Sequence, residues 1–162
     1  TLFPYTTLFR LALIATFYQL YLQRVHNEKS VRPLGQIDLW DHKKQIHVHI
    51  RNNGVGPMII DRLTFTKEGK QYTAIEDCLD LDPRSYMRIL INDSVKKIIL
   101  PNSYLVVFEK NFENHSQEEM ERVRKQLTPI TLKVGCRDIY GNKFNFERSF
   151  EWFSRYMLQN TD

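Results

Sequence analysis

The stretch DHKKQIHVH places His42, His47 and His49 within eight residues. Positions 47 and 49 are two apart, which puts both side chains on one face of a β-strand. Two imidazoles so placed can ligate zinc if a third ligand converges from elsewhere. No cysteine or carboxylate at metal-ligand spacing completes the set. His42, His47 and His49 are therefore candidate metal ligands that lack a visible partner, and outward strand positions often carry polar side chains for no further reason. A second cluster, EDCLDLD, gathers Glu76, Asp77, Asp80 and Asp82. A calcium loop needs oxygen ligands at fixed alternate positions around a glycine, and this run has no glycine. It reads as a solvated acidic turn, with Arg84 and Arg88 near enough to pair with it.

Nucleophile chemistry finds no frame. Ser85, Ser94, Ser103 and Ser149 lie in no G-x-S-x-G elbow. There is no G-x-x-x-x-G-K-[ST] and no G-x-G-x-x-G; Gly54 and Gly56 belong to NNGVGP, a turn with no helix start behind it to bind phosphate. These two glycines are expected to supply positive φ. Cys78 and Cys136 are far apart and show no C-x-x-C spacing, so they read as two buried thiols. The net charge of +4 is spread along the chain without a basic run, which gives nucleic-acid binding no support. No catalytic residue and no cofactor is expected. A metal-dependent enzyme on the three histidines is the alternative.

The elements that would position these residues are mostly strands. In QIHVHIR, Ile46, Val48 and Ile50 share one face while His47, His49 and Arg51 share the other. Further short apolar or alternating runs are 58–66, 71–74, 86–91, 95–100, 104–108 and 130–136. Residues 143–150 return as a hairpin after a turn at 138–142, with Phe144 and Phe146 inward. Seven or more short strands without βαβ alternation predict an Ig-like antiparallel β-sandwich over residues 34–153. One surface helix is expected at 117–127, capped by Ser116 with Glu119 and striped by Met120, Val123 and Leu127. Its pairs Glu118/Arg122 and Glu121/Lys125 have helical i,i+4 spacing. Residues 74–81 have the makings of one further helical turn.

The N-terminal region has a different character. Residues 1–10, TLFPYTTLFR, match residue for residue one reading frame of a widely used sequencing-library adapter. The match stops at Leu11, where the adapter would continue with a serine codon. They are expected to be foreign to the natural chain. Residues 11–22, LALIATFYQLYL, are apolar apart from Thr16 and Gln19, and a bilayer span needs ~20 such residues. The expectation is that 11–23 is the C-terminal part of a transmembrane helix; an amphipathic helix packed on the domain is the other reading. Residues 24–33 follow as a basic juxtamembrane linker, and 154–162 as a tail. Arg24, Lys29 and Arg32 beside the span argue for a cytoplasmic domain.

The runs HNEKSVRPLGQIDLW, IHVHIRNNGVGPMIID and LKVGCRDIYGNKFNF together resemble a family of uncharacterised bacterial proteins. Its members share a leading membrane helix, an HN-x-x-SVRP exit, an N-x-G-x-GP turn and a closing Y-x-D-x-YG hairpin. This chain departs from the last pattern at Cys136, where an aromatic is usual. The resemblance spans nearly all of residues 18–150 and implies a small membrane-anchored domain without known activity. The expectation is a single-pass protein of the bacterial inner membrane, held to the lipid bilayer by its N-terminal helix. Its domain would be an interaction or sensing module that binds a protein partner through sheet edges or loops. An extracytoplasmic ligand-binding or adhesion domain is a further alternative.

Overall fold

The computed structural model describes residues 3–42, 44–89, 91, 96–112 and 117–156. It is mainly β, with nine strands and two α-helices among those residues. Strands β1 (Gly35–His42), β2 (Gln45–Asn52), β5 (Met87–Arg88) and β7 (Tyr104–Asn111) form one antiparallel sheet in the order β1-β2-β7-β5. The second sheet runs β4-β3-β8-β9, from β3 (Met58–Lys67), β4 (Lys70–Tyr72), β8 (Ile130–Arg137) and β9 (Lys143–Ser149). Strand β6 (Lys97–Ile99) pairs with the start of β3, and β4 pairs with its end.

Alternation explains the core. Ile46, Val48 and Ile50 of β2 are fully buried, and so are Ile130, Leu132 and Val134 of β8. They meet in one apolar cluster with Ile60, Phe65 and Phe108, so the two sheets share a single core. Burying side chains of this size contributes roughly 1.5–3 kcal/mol each before chain entropy is subtracted. Phe144 and Phe146 of β9 are half-buried against that cluster. Cys78 and Cys136 are buried free thiols, and burial pushes them up to about 11 and about 12.

Strand β1 is an element that the sequence reading passed over. Its inward positions are Ile37, Leu39 and Asp41, and the buried carboxylate breaks the apolar alternation. Asp41 is compensated by helix α2 (Gln117–Leu127). Arg124 there donates from Nε to Asp41 Oδ2 at 2.7 Å and from Nη2 to Oδ1 at 2.9 Å. The expected stripe of Met120, Val123 and Leu127 is buried. Glu121 and Lys125 lie 3.5 Å apart, whereas Arg122 reaches Asp80 at 3.4 Å rather than the expected Glu118. Ser116, the expected cap, lies outside the described residues, as do Leu90 and Val95 of the expected strands and Ser94.

The N-terminal helix α1 runs Phe3–Ser30 without interruption. The linker expected at 24–33 is therefore helical as far as Ser30, and residues 3–10 continue the same helix. The reading of α1 as a helix packed on the domain does not hold, because residues 5–24 are exposed. Leu11, Ile14, Phe17, Tyr18, Leu20 and Tyr21 are each more than half exposed. No helix among the described residues is long and apolar enough to cross a membrane.

The last turns of α1 rest on the domain. Val25, Glu28, Lys29 and Arg32 line one cleft with Asp138 and Asn142 of the β8–β9 turn. The exit segment 31–34 lies on the NNGVGP turn, where Asn53 N donates to Leu34 O at 2.8 Å and Val55 N to Arg32 O at 3.3 Å. Gly54 and Gly56 are not in the left-handed region, contrary to expectation; the positive-φ glycines are Gly69 and Gly141. Close approach demands them instead. A Cβ on Gly56 would fall on the Val31 carbonyl, and one on Gly54 on the Leu34 amide.

Candidate functional site

Asn52 anchors this end of the domain. It is fully buried, and its Oδ1 accepts from Leu34 N at 3.2 Å and Gly54 N at 3.0 Å. Its Nδ2 donates to Gly56 O at 2.8 Å and Ile99 O at 3.1 Å. One amide thus joins the helix exit, the β2–β3 turn and β6. Asp138 does the same for the closing turn. Burial would raise its carboxyl, but donation from the Asn142 side chain and from the Asn142, Tyr140 and Gly141 amides holds it below the usual range. The helix exit and the NNGVGP turn are thus tied together through Asn52, and the 138–142 turn through Asp138.

The chemistry-bearing residues lie on the outer face of the first sheet. Trp40 of β1 is directly opposite His47 of β2, and their rings stack at 5.9 Å and 6°. His47 stacks on His49 at 3.8 Å and 7°, and His49 on Tyr104 of β7 at 4.5 Å and 11°. Four rings form a ladder across three strands, with the Arg51 guanidinium 5.7 Å from the Tyr104 ring centre. A bulge in the β2–β7 register at Val48/His49 sets the position of His49 against β7. Polar side chains brace the ladder. His49 Nε2–H donates to Glu109 at 3.1 Å, Gln45 donates to the other Glu109 oxygen at 3.1 Å, and Arg51 Nε donates to Asp38 at 2.8 Å.

Burial disfavours the charged form of both imidazoles. Burial first, then the adjacent His49, hold His47 down at about 4, against the opposing pull of Glu109 and Asp38. Burial also lowers His49, and its hydrogen bond to Glu109 offsets only part of that. His47 Nδ1 is buried without a hydrogen-bond partner among the described residues.

The three candidate ligands do not form a zinc constellation. A metal sits in the plane of each imidazole ligand, ~2.0 Å from its nitrogen. Rings stacked 3.8 Å apart and 7° from parallel have no common point of that kind. His42 is set apart by Trp40, whose ring it meets edge-on at 5.9 Å. Among the described residues no group of three or more His, Cys, Asp or Glu could hold a metal ion. The acidic run is likewise divided: Glu76 pairs with Arg88, Asp82 caps the Arg84 amide, and Asp80 reaches Arg122.

What the ladder offers is a rigid, flat surface. Trp40 and Tyr104, its two ends, are about half exposed. Beside it lies an open groove of roughly 520 Å³ lined by Asp38, Trp40, Gln45, His47, Arg51 and Arg148. Sequence reading named His47 and His49 but missed Trp40, Tyr104 and Glu109. The alternation of β1 would have placed Trp40 outward; nothing local announces that Tyr104 and Glu109 lie beside the histidines.

No family model matches the chain, and no curated protein matches it. A crystal structure of a protein from Archaeoglobus fulgidus is similar to it over 72% of this chain and 92% of that one, at 11% identity and a TM-score of 0.22.

Proposed function

We propose that this chain is a membrane-tethered, Ig-like β-sandwich that presents the Trp40–Tyr104 face of its first sheet to a protein partner. The observation that carries the reading is the exposed apolar surface of α1. At 3.6 residues per turn, the apolar residues of 11–22 cover more than half the helix circumference. A helix of that kind is stable only inside a bilayer or against another apolar surface. The Thr16 hydroxyl is satisfied by Ala12 O at 2.8 Å, as a hydroxyl in hydrocarbon must be. Twelve residues extend ~18 Å, short of the ~30 Å hydrocarbon core, so the described stretch enters the bilayer without crossing it. Arg24, Lys29 and Arg32 favour placing the domain on the cytoplasmic side of a bacterial inner membrane.

The Ig-like reading rests on strand order. Taking β1, β2, β3, β4, β5, β7, β8 and β9 as A, B, C, C′, D, E, F and G turns the two sheets into A-B-E-D and C′-C-F-G. That order matches an immunoglobulin domain's and supports the reading, with α2 then between E and F and β6, which pairs with β3, outside the scheme. The partner face is argued from composition. Trp, Tyr and Arg dominate the energetics of protein interfaces, and Trp40, Tyr104 and Arg51 are held in place before any partner arrives, which lowers the entropy cost of binding. Of the sheet edges expected to bind, β4, β5 and β6 are poorer candidates, since they have only two or three residues each; the long edge strands are β1 and β9.

Flotation of the full chain with neutral phosphatidylcholine vesicles tests the tether. The chain should rise with the vesicles, and Phe17→Glu with Leu20→Glu should leave it in the dense fraction with an unchanged β spectrum. Equal flotation of that variant would reject the tether. A photo-crosslinker at position 40 should capture a defined protein in producing cells, and one at Lys133 on the other sheet should not; equal capture at both would reject the face.

A further inference from the structure

The outer face of the second sheet holds a cleft of about 490 Å³ lined by Asp61, Arg62, Lys96, Arg137 and Lys143 over a floor at Gly135. Four cations surround one carboxylate. Asp61 Oδ1 is shared between Lys96 and Arg137, each at 3.5 Å, so its single negative charge leaves the group of cations net positive. Arg62 and Lys143 are exposed. The backbone builds this concentration of charge: a bulge between Ile60 and Arg62 brings Asp61 and Arg62 to the cleft in succession. Arg137 and Lys143 are directly paired across β8 and β9. Gly135 puts no side chain into the floor.

The position of the cleft matters as much as its charge. Arg137 and Lys143 flank the 138–142 turn, and Asp138 and Asn142 of that turn line a cleft with the last turns of α1. The cleft is therefore at the helix-bearing end of the domain. From Leu22 to Ser30 the helix rises ~12 Å, and a bilayer's polar layer is about 5–8 Å thick per side. A domain carried on that stem has its lower end within about one Debye length, ~8 Å, of the phosphate layer.

We infer that this cleft binds the phosphate group of anionic phospholipids and so orients the domain on the membrane surface. Arg62 and Arg137 supply guanidinium forks suited to phosphate oxygens, Lys96 and Lys143 supply point charges, and Asp61 keeps Lys96 and Arg137 turned toward the cleft. The inference rests on the tether proposed above.

The test is flotation of the full chain at limiting lipid, on neutral phosphatidylcholine vesicles and on vesicles with one third phosphatidylglycerol. Partitioning should rise on the anionic vesicles and fall back with salt. Arg62→Gln with Lys143→Gln should weaken anionic partitioning by about fivefold per charge removed while leaving neutral partitioning as it was. A variant of equal net-charge change at the opposite end of the domain, Lys70→Gln with Lys125→Gln, should have little effect. Loss of neutral flotation in the wild type defeats the tether; intact neutral flotation without anionic enhancement, or equal loss in both variants, defeats the cleft. Inorganic phosphate titrated at constant ionic strength separates the sources: saturable binding of phosphate with no vesicle enhancement would reassign the cleft to a soluble phosphate compound and overturn the lipid assignment.

Discussion

His47 and His49 lie ring on ring, 3.8 Å between centroids and 7° between planes, at the centre of a four-ring ladder. Protonating either would put a charge into a stack in which His49 is buried and His47 half-buried. His47 has its folded pKa at about 4, below the ordinary 6.5. Between those values the unfolded chain binds more protons than the folded one. The stability that this residue contributes is thus complete above pH 6.5, declines as pH falls, and is lost near pH 4. After discounting for solvent screening, the loss is on the order of 1–2 kcal/mol. Urea midpoints at pH 7.5, 5.5 and 4.5 should fall in that order, and His47→Phe should flatten the series. An equally steep series in the variant would contradict the assignment.

Zinc should not stabilise the protein. With the two rings parallel and His49 Nε2 engaged by Glu109, one equivalent of zinc should leave the thermal midpoint where it was, as should a chelator. Stoichiometric zinc, retained on desalting and lost in His47→Ala, would reverse this reading.

Asn52 should be among the costliest polar residues to replace. Asn52→Ala leaves Leu34 N, Gly54 N, Gly56 O and Ile99 O without their partner, a cost of about 2–4 kcal/mol given roughly 1 per lost bond. Asn52→Asp keeps the acceptor side and loses the donors, so it should destabilise too, with amide exchange quickened at Gly56 and nearby. Gly56→Ala should have a comparable effect through backbone displacement against Val31. Chemical denaturation measures both, and a change below about 0.5 kcal/mol in either would refute the account.

The Asp41–Arg124 pair joins β1 to α2 with both side chains almost wholly covered. Removing one partner strands a buried charge. Arg124→Met alone should therefore cost about 3–5 kcal/mol, whereas Arg124→Met with Asp41→Leu should regain most of it. Equal destabilisation by the single and double variants would show that packing, and not charge pairing, holds the helix down.

Much of the fold was legible wherever the physics is local. Ile46, Val48 and Ile50 alternate with His47, His49 and Arg51, and a period of two leaves little choice about which set faces a core. The helix at 117–127 was equally plain, since its buried stripe and charged remainder repeat at the helical period. Strand β1 was not, because its third inward residue is Asp41. A carboxylate in that position looks like a surface residue until Arg124, 83 positions away, is seen to pair with it. The glycines of NNGVGP were found for the wrong reason. A turn sequence suggests positive φ, but the need at Gly54 and Gly56 is room for residues 31–34.

The candidate site divides in the same way. By itself the sequence determined that two histidines share the polar face of a strand, that an apolar stretch precedes the domain, and that no standard catalytic motif is present. Side-chain periodicity and motif spacing are properties of neighbouring residues, so one chain suffices to read them. Only the tertiary structure decided that the histidines stack between Trp40 and Tyr104 rather than converge on a metal. It alone brought Arg62, Arg137 and Lys143 round one cleft beside the helix exit. Those outcomes depend on which strands pair, in what register and past which bulges, and that is settled by burial of the whole core, to which every strand contributes and which no single segment encodes.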